Sequence, residues 1–143
     1  KGRGRGLALY RSFGTYVAQV VEASVENGEI RVHRVACAVD CGQVVNPAVV
    51  LDQIEGGIVF GITAALFGKI DFEQGEVQQS NFHDYVLLRN YQMPDITVEI
   101  IDSNEAPTGV GEPGVPLVLP ALGNALFALT GRRQRQLPLT AEV

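Results

Sequence analysis

The sequence predicts an α+β fold, in which two helices pack on a mainly antiparallel sheet. Apolar and polar residues alternate over 16–25 and 29–40, and Asn27-Gly28 between these runs is the strongest short signal for a β-hairpin. Apolar residues spaced three and four apart predict a helix over 47–67, and a second apolar run predicts another over 117–130.

The first helix has a clear start and an unusual interior. Asn46 suits the N-cap and Pro47 the first helical position. Gly56, Gly57 and Gly61 lie inside the helix, where each glycine costs about 1 kcal/mol relative to alanine. The close approach of another backbone or a ligand would explain them, and so would close packing of the helix on the sheet.

The remaining elements complete the order ββ-α-ββ-β-α-β. A second hairpin is predicted over 69–72 and 77–80, a strand over 96–101, and a closing strand over 134–137. Gly131 ends the second helix.

Length and composition predict one domain over 1–143, since 143 residues with 46% hydrophobic content can form a core. The net charge is −5 and the basic residues gather at both ends, which argues against a nucleic-acid partner. The apolar run 58–67 falls short of the roughly 20 residues that span a bilayer. No apolar stretch follows the basic start as a signal peptide would require. Because the chain starts at Lys1, we expect a piece of a longer polypeptide, with 1–6 as a connection along a neighbouring domain.

The two cysteines predict buried thiols rather than a metal or redox site. Cys37 and Cys41 lie four apart on an extended run, without a second pair or a histidine at zinc spacing.

A glycine-rich turn carries the best candidate for chemistry. The turn Gly109-Val110-Gly111-Glu112-Pro113-Gly114 fixes a single carboxylate at a bend, as a general base requires. The same letters fit the dinucleotide-binding pattern, but residues 104–108 separate the turn from the preceding strand. No acid follows about 20 residues later to bind a ribose. An ordinary turn with an exposed glutamate is the plainer alternative.

A second constellation leads into the first helix. Asp40 and Asn46 are expected to cap the turn and the helix, and Gln53 follows within two turns of the helix start. A glutamine amide offers one acceptor and two donors, which suits the amide-like edge of a pterin or a base. The alternative is a polar residue on a solvated helix face.

These motifs together resemble a known family. The runs 39–47, 53–57 and 109–113 are similar, in order, to the C-terminal part of the large, molybdopterin-binding subunit of the xanthine dehydrogenase and aldehyde oxidase family. The runs 12–18, 79–85 and 131–133 most resemble the isoquinoline 1-oxidoreductase beta subunit and its aldehyde-oxidising relatives.

The resemblance implies a molybdopterin cofactor in the cytosine dinucleotide form of bacterial members, with molybdenum held by the cofactor and not by protein side chains. It implies that Glu112 is the base for a molybdenum-bound hydroxyl that attacks an N-heterocycle or an aldehyde. The positions that it implies for cofactor binding are Gln53, Gly56, Gly57, Gly109, Val110 and Gly111.

It also implies partners. These are the remainder of the large subunit, a small iron–sulfur subunit and a small-molecule substrate. The sequence does not decide between the bacterial cytoplasm and the periplasm. The chain itself has no four-cysteine cluster pattern. Alone it is expected to be inactive and to self-associate.

Two interpretations from other classes stay open: a non-catalytic structural or assembly module, and a nucleotide-binding domain. The intact turn around Glu112 favours the enzyme over the module, and metal analysis of the complete subunit would discriminate the nucleotide-binding domain.

Overall fold

The structure, a computed structural model, describes residues 2–141 and has the predicted α+β fold. A four-stranded sheet has the order β1-β2-β3-β6, and a separate two-stranded ribbon pairs β4 with β5. The elements are β1 (Gly4–Ser12), β2 (Thr15–Glu26), β3 (Glu29–Asp40), α1 (Pro47–Leu66), β4 (Phe72–Glu73), β5 (Glu76–Val77), β6 (Asp95–Ile100) and α2 (Val118–Thr130), with a short 3-10 turn at Asn90–Gln92.

The long hairpin is confirmed. β2 and β3 are antiparallel, and their register closes at the pair of Glu26 with Glu29. Asn27 and Gly28 between them both have positive φ, 54° and 80°, as the tight hairpin turn requires. The sheet is mainly antiparallel, with one exception: β6 joins it parallel to β3, after the crossover through α1 that a parallel pair needs.

Residues 4–6 of the glycine-rich start belong to β1, so the expectation of a connection was wrong for these residues. Gly4 and Gly6 pair with Ala23 and Val21, which makes β1 an edge strand of the sheet. A Cβ on either glycine would collide with the backbone of α2. Glycine is depleted in strands, so the sequence signal was weak, but its small size lets α2 lie directly on this edge.

Both helices cover the same face of the sheet. α2 packs on β1 and β2, while α1 packs against α2 and β6. Alternate residues of β2 face the helices and are buried, among them Val17, Gln19 and Val21. The opposite face of the sheet has no covering layer within residues 2–141, and Leu7, Leu9 and Val20 are exposed there.

Two predicted elements differ from the structure. No strand forms over 134–137; this segment instead folds on itself, and the Gln134 side chain donates to the Thr140 carbonyl. Pro138 lacks the N–H that a continuing strand would need. The second hairpin is reduced to β4 and β5, with two residues each, because both strands are exposed and have no apolar face to bury.

By length and composition alone, α1 could cross a membrane. Ile54, Ile58 and Ile62 are fully buried in the core formed by the sheet and both helices. The position of α1 in the core therefore accounts for its apolar character.

Candidate functional site

The residues of the glycine turn, 109–114, which we call the glutamate turn, lie across one end of the sheet. The strand β6 ends at Ile100, and the loop that follows is tied to the end of β3 by the bond from the Thr108 N–H to the Cys41 carbonyl, 2.9 Å. The Gly109 N–H then bonds the carbonyl of Phe13 in the tight turn between β1 and β2, 3.1 Å. The loop thus passes from β3 to the β1–β2 turn before it reaches Glu112.

Side chains of the sheet hold the glutamate turn on both sides of Glu112. The Thr15 hydroxyl donates to the Gly109 carbonyl at 2.6 Å. The Tyr10 hydroxyl donates to the Pro113 carbonyl at 3.1 Å, and the Gln19 amide donates to the Gly114 carbonyl at 2.8 Å. The turn is therefore fixed to the face of the sheet that carries the helices.

Glu112 itself is exposed, while the residues that follow it, Pro113 and Gly114, are buried. Burial is the main cause that raises the pKa of Tyr10, which holds the Pro113 carbonyl. The negative charge of Glu112 raises it further. Tyr10 is therefore a neutral hydroxyl donor at physiological pH. The geometry offers a carboxylate on a rigid support and open to a ligand.

The helix α1 places Gln53 beside the glutamate turn. Asn46 caps the helix through its side chain, which accepts from the Val49 N–H at 3.4 Å. Gln53 follows in the second turn of the helix and is exposed. A Cβ on Gly111 would lie 3.8 Å from the Gln53 Nε2. The amide of Gln53 and the glutamate turn thus border one surface.

The paired glycines of α1 differ in their surroundings. Gly57 is buried against Gly114, whereas Gly56 is exposed and a Cβ there would meet nothing within 4 Å. A Cβ on Gly114 would lie 2.7 Å from the Ile54 carbonyl oxygen. Close approach of the turn backbone therefore explains Gly57 and Gly114, while Gly56 leaves open space beside Gln53.

The other predicted site residues also lie in the turn. Gly109 and Gly111 are exposed, and Val110 is half-buried against the edge of the core. Glu112, Gln53, Gly56, Gly109 and Gly111 are thus the candidates that present an accessible surface.

Comparison with known proteins identifies the family. Residues 1–94 match the model of the molybdopterin cofactor-binding domain. The chain belongs to this family. It is also 40% identical to the beta chain of the isoquinoline 1-oxidoreductase of Brevundimonas diminuta, over 96% of the chain and 18% of that protein. It is 34% identical to a subunit of the nicotinate dehydrogenase of Pseudomonas putida, over 98% of the chain and 13% of that protein.

The fold agrees with this assignment. The aldehyde oxidoreductase of Desulfovibrio gigas superposes with a TM-score of 0.73 and 26% identity, over 87% of the chain and 14% of that structure. The chain therefore spans less than a fifth of the length of these relatives.

The accessible residues fit a molybdopterin. The Gln53 amide would offer donors and an acceptor to the edge of a pterin, and the space above Gly56 would admit a flat ring. Within residues 2–141 no group of three or more His, Cys, Asp or Glu side chains could hold a metal ion.

Both cysteines are buried thiols, as predicted. Burial raises the pKa of Cys37 to about 11 and also raises that of Cys41. Cys37 is the cross-strand partner of Gln19, which holds Gly114 of the glutamate turn. Both thiols are therefore neutral at physiological pH.

Sequence reasoning missed the three anchors Tyr10, Thr15 and Gln19. One signal was available for Gln19, which occupies an inward position of β2 between Val17 and Val21. A polar residue at a core position requires a hydrogen-bond partner. Its partner, Gly114, is 95 residues away along the chain, so the sequence could not name it.

Proposed function

We propose that this chain is part of the catalytic subunit of a molybdopterin-dependent hydroxylase, with Glu112 as its general base. The observation that carries the proposal is the pairing of an exposed, rigidly supported Glu112 with the Gln53 amide and the open space at Gly56. Membership of the molybdopterin-binding family supplies the cofactor class.

The reaction is the oxidation of a carbon–hydrogen bond to carbon–oxygen with oxygen from water, which releases two electrons and protons. The molybdenum cofactor, when bound, would accept the two electrons. Gln53 would hydrogen-bond the edge of the pterin, and Gly56 would let the ring approach the helix. Glu112 would accept a proton at its carboxylate as oxygen is transferred to the substrate, which requires a distance of about 3 Å.

The substrate class follows from the relatives. The names of the two similar proteins refer to isoquinoline and nicotinate, which are N-heterocycles, and that of the superposed structure refers to an aldehyde. Isoquinoline, nicotinate and aldehydes all have an electron-poor carbon. We assign this chain an N-heterocycle or an aldehyde as substrate.

The complete enzyme, in this proposal, adds the remainder of the large subunit, a small iron–sulfur subunit and the cytosine dinucleotide form of the cofactor. Mild acid release of the cofactor, followed by chromatography of the nucleotide, tests the last point. Cytidine monophosphate is the expected product, and guanosine monophosphate or no nucleotide would contradict it.

The role of Glu112 is tested by Glu112→Gln in the complete enzyme. Turnover should fall by the roughly 10²- to 10⁴-fold that general-base catalysis supplies, with molybdenum per subunit unchanged. Glu105→Gln is the matched control, because Glu105 is an exposed glutamate of the loop that leads to the same turn. Glu112→Gln turnover within a few-fold of the wild type would instead support a non-catalytic module.

A further inference from the structure

We propose that Gln19, assisted by Tyr10 and Thr15, is a positioning residue for Glu112: the sheet holds the catalytic carboxylate through the carbonyl groups of the turn. The inference rests on the proposed role of Glu112 as base. Nothing in the sequence motifs of the turn indicates these residues, since all three belong to β1 and β2.

The three hydrogen bonds hold the turn at positions before and after Glu112 in the sequence. Thr15 holds the Gly109 carbonyl before it, while Tyr10 and Gln19 hold the two consecutive carbonyls of Pro113 and Gly114 after it. All three donors come from the two strands at one edge of the sheet. The backbone is thereby held on both sides of Glu112.

Gln19 is the most informative of the three. Its side chain is fully buried, and its Oε1 has no hydrogen-bond partner in the described residues. An unsatisfied buried amide oxygen is unfavourable, and an apolar side chain of similar size would avoid that cost. The bond from its Nε2 to the Gly114 carbonyl is the interaction that an apolar residue cannot replace.

The buried segment of the turn explains why this bond bears on Glu112. Gly114 lies against the backbone of Ile54 in α1, so the Gln19 amide and the helix hold it from different elements. Loss of the amide would free Gly114 on one side and let Glu112, two residues earlier, shift. A misplacement of about 1 Å in an active site can cost about 10²-fold in rate.

The test uses the complete enzyme with Gln19→Met, Glu112→Gln and the double variant. Gln19→Met keeps the volume of the side chain and removes the donor. We expect kcat to fall about 10- to 100-fold with KM within about twofold and molybdenum per subunit unchanged. In the Glu112→Gln background the same substitution should change kcat less than about twofold, because the positioned group is already gone.

Hydrogen exchange gives a readout independent of turnover. Backbone amides of 109–115 should exchange faster in Gln19→Met than in the wild type. Val21→Ala is the control, since Val21 is a fully buried residue on the same face of β2. It should lower the unfolding temperature without changing exchange in 109–115 or kcat.

The outcomes separate the two proposals. Wild-type turnover in Glu112→Gln overturns the proposed function. If Glu112→Gln lowers turnover but Gln19→Met does not, the positioning role alone is overturned. The same holds if Gln19→Met lowers kcat equally in the wild-type and Glu112→Gln backgrounds. If Gln19→Met fails to fold, Tyr10→Phe and Thr15→Val each remove one donor with little change in shape, and the same comparison with Glu112→Gln decides.

Discussion

Gly57 of α1 and Gly114 of the glutamate turn approach so closely that a Cβ on Gly57 would lie 3.3 Å from the Gly114 Cα. The adjacent Gly56 faces open space. Two consecutive glycines of one helix therefore serve different purposes. Gly57 lets the turn pack against the helix, and Gly56 leaves room on the accessible surface beside Gln53.

This difference predicts opposite responses to the same substitution. Gly56→Ala should raise the free energy of unfolding of the 143-residue chain by about 0.5–1 kcal/mol, because alanine favours the helix and meets no neighbour. Gly57→Ala should be less stable than Gly56→Ala by about 1 kcal/mol or more, because Gly114 must move. Denaturant unfolding of both variants measures the difference, and equal stabilisation would show that the turn does not press on Gly57.

The cofactor assignment predicts losses of molybdenum from the complete enzyme. Gln53→Leu removes the amide, and each hydrogen bond lost should weaken retention by about 0.5–1.5 kcal/mol. Gly56→Val should place a branched side chain in the space assigned to the ring. Gly57→Val should lower occupancy by displacing the turn.

The measurement is molybdenum per subunit after extended dialysis. Asp52→Asn is the control, since Asp52 is the exposed neighbour of Gln53 on α1. Full occupancy in both Gln53→Leu and Gly56→Val would remove this helix face from the cofactor site.

Much of this architecture was predictable because its signals are local. The Asn27-Gly28 turn, the Asn46 cap and the spacing of Ile54, Ile58 and Ile62 depend on neighbouring residues, and those elements were predicted within a residue or two. The strand β1 was missed because its glycines are explained by α2, which is distant in sequence. The strand predicted over 134–137 was wrong because a short apolar pattern does not specify a pairing partner.

The residues of the site also divide into those that the sequence indicated and those that it did not. Glu112 stood out because glycines and a proline flank it. Tyr10, Thr15 and Gln19 did not stand out, because the role of a polar side chain on a strand depends on the carbonyl group that it contacts in the folded chain. These contacts join residues that are 103, 94 and 95 positions apart, and they leave no periodic pattern in the sequence.

The buried Cys37 predicts a loss of stability at alkaline pH. Burial raises its pKa to about 11 in the folded chain, above the ordinary value of 9.0. Because the pKa is raised in the folded chain, the contribution of the neutral thiol to stability is complete below pH 9. It is lost as the pH rises toward 11. By pH 10 the loss should be about 1 kcal/mol.

Unfolding of the 143-residue chain at pH 8 and pH 10 checks this, with Cys37→Ala as the reference that lacks the thiol. The decline between the two pH values should be smaller in the variant. An identical decline in both proteins would show that Cys37 ionises as easily when folded as when unfolded.

The uncovered face of the sheet predicts self-association of the 143-residue chain. Leu7 and Leu9 on the edge strand β1 are 59% and 68% exposed, and Val20 lies opposite Leu7 on the same face. Exposed apolar patches next to an unpaired strand edge favour association. Light scattering should therefore detect oligomers, while the chain alone should contain no molybdenum and show no turnover of aldehydes or N-heterocycles.

The double substitution of Leu7 and Leu9 by lysine should shift the chain toward monomer, because two charges on the face oppose its burial. Phe82→Lys is the control, since Phe82 is 66% exposed but lies outside the four-stranded sheet; it should leave the oligomers unchanged. A monodisperse wild-type monomer would argue against an interface on this face. Turnover by the chain alone would show that the site is complete within these residues, because an active centre shared with the remainder of a subunit cannot function without it.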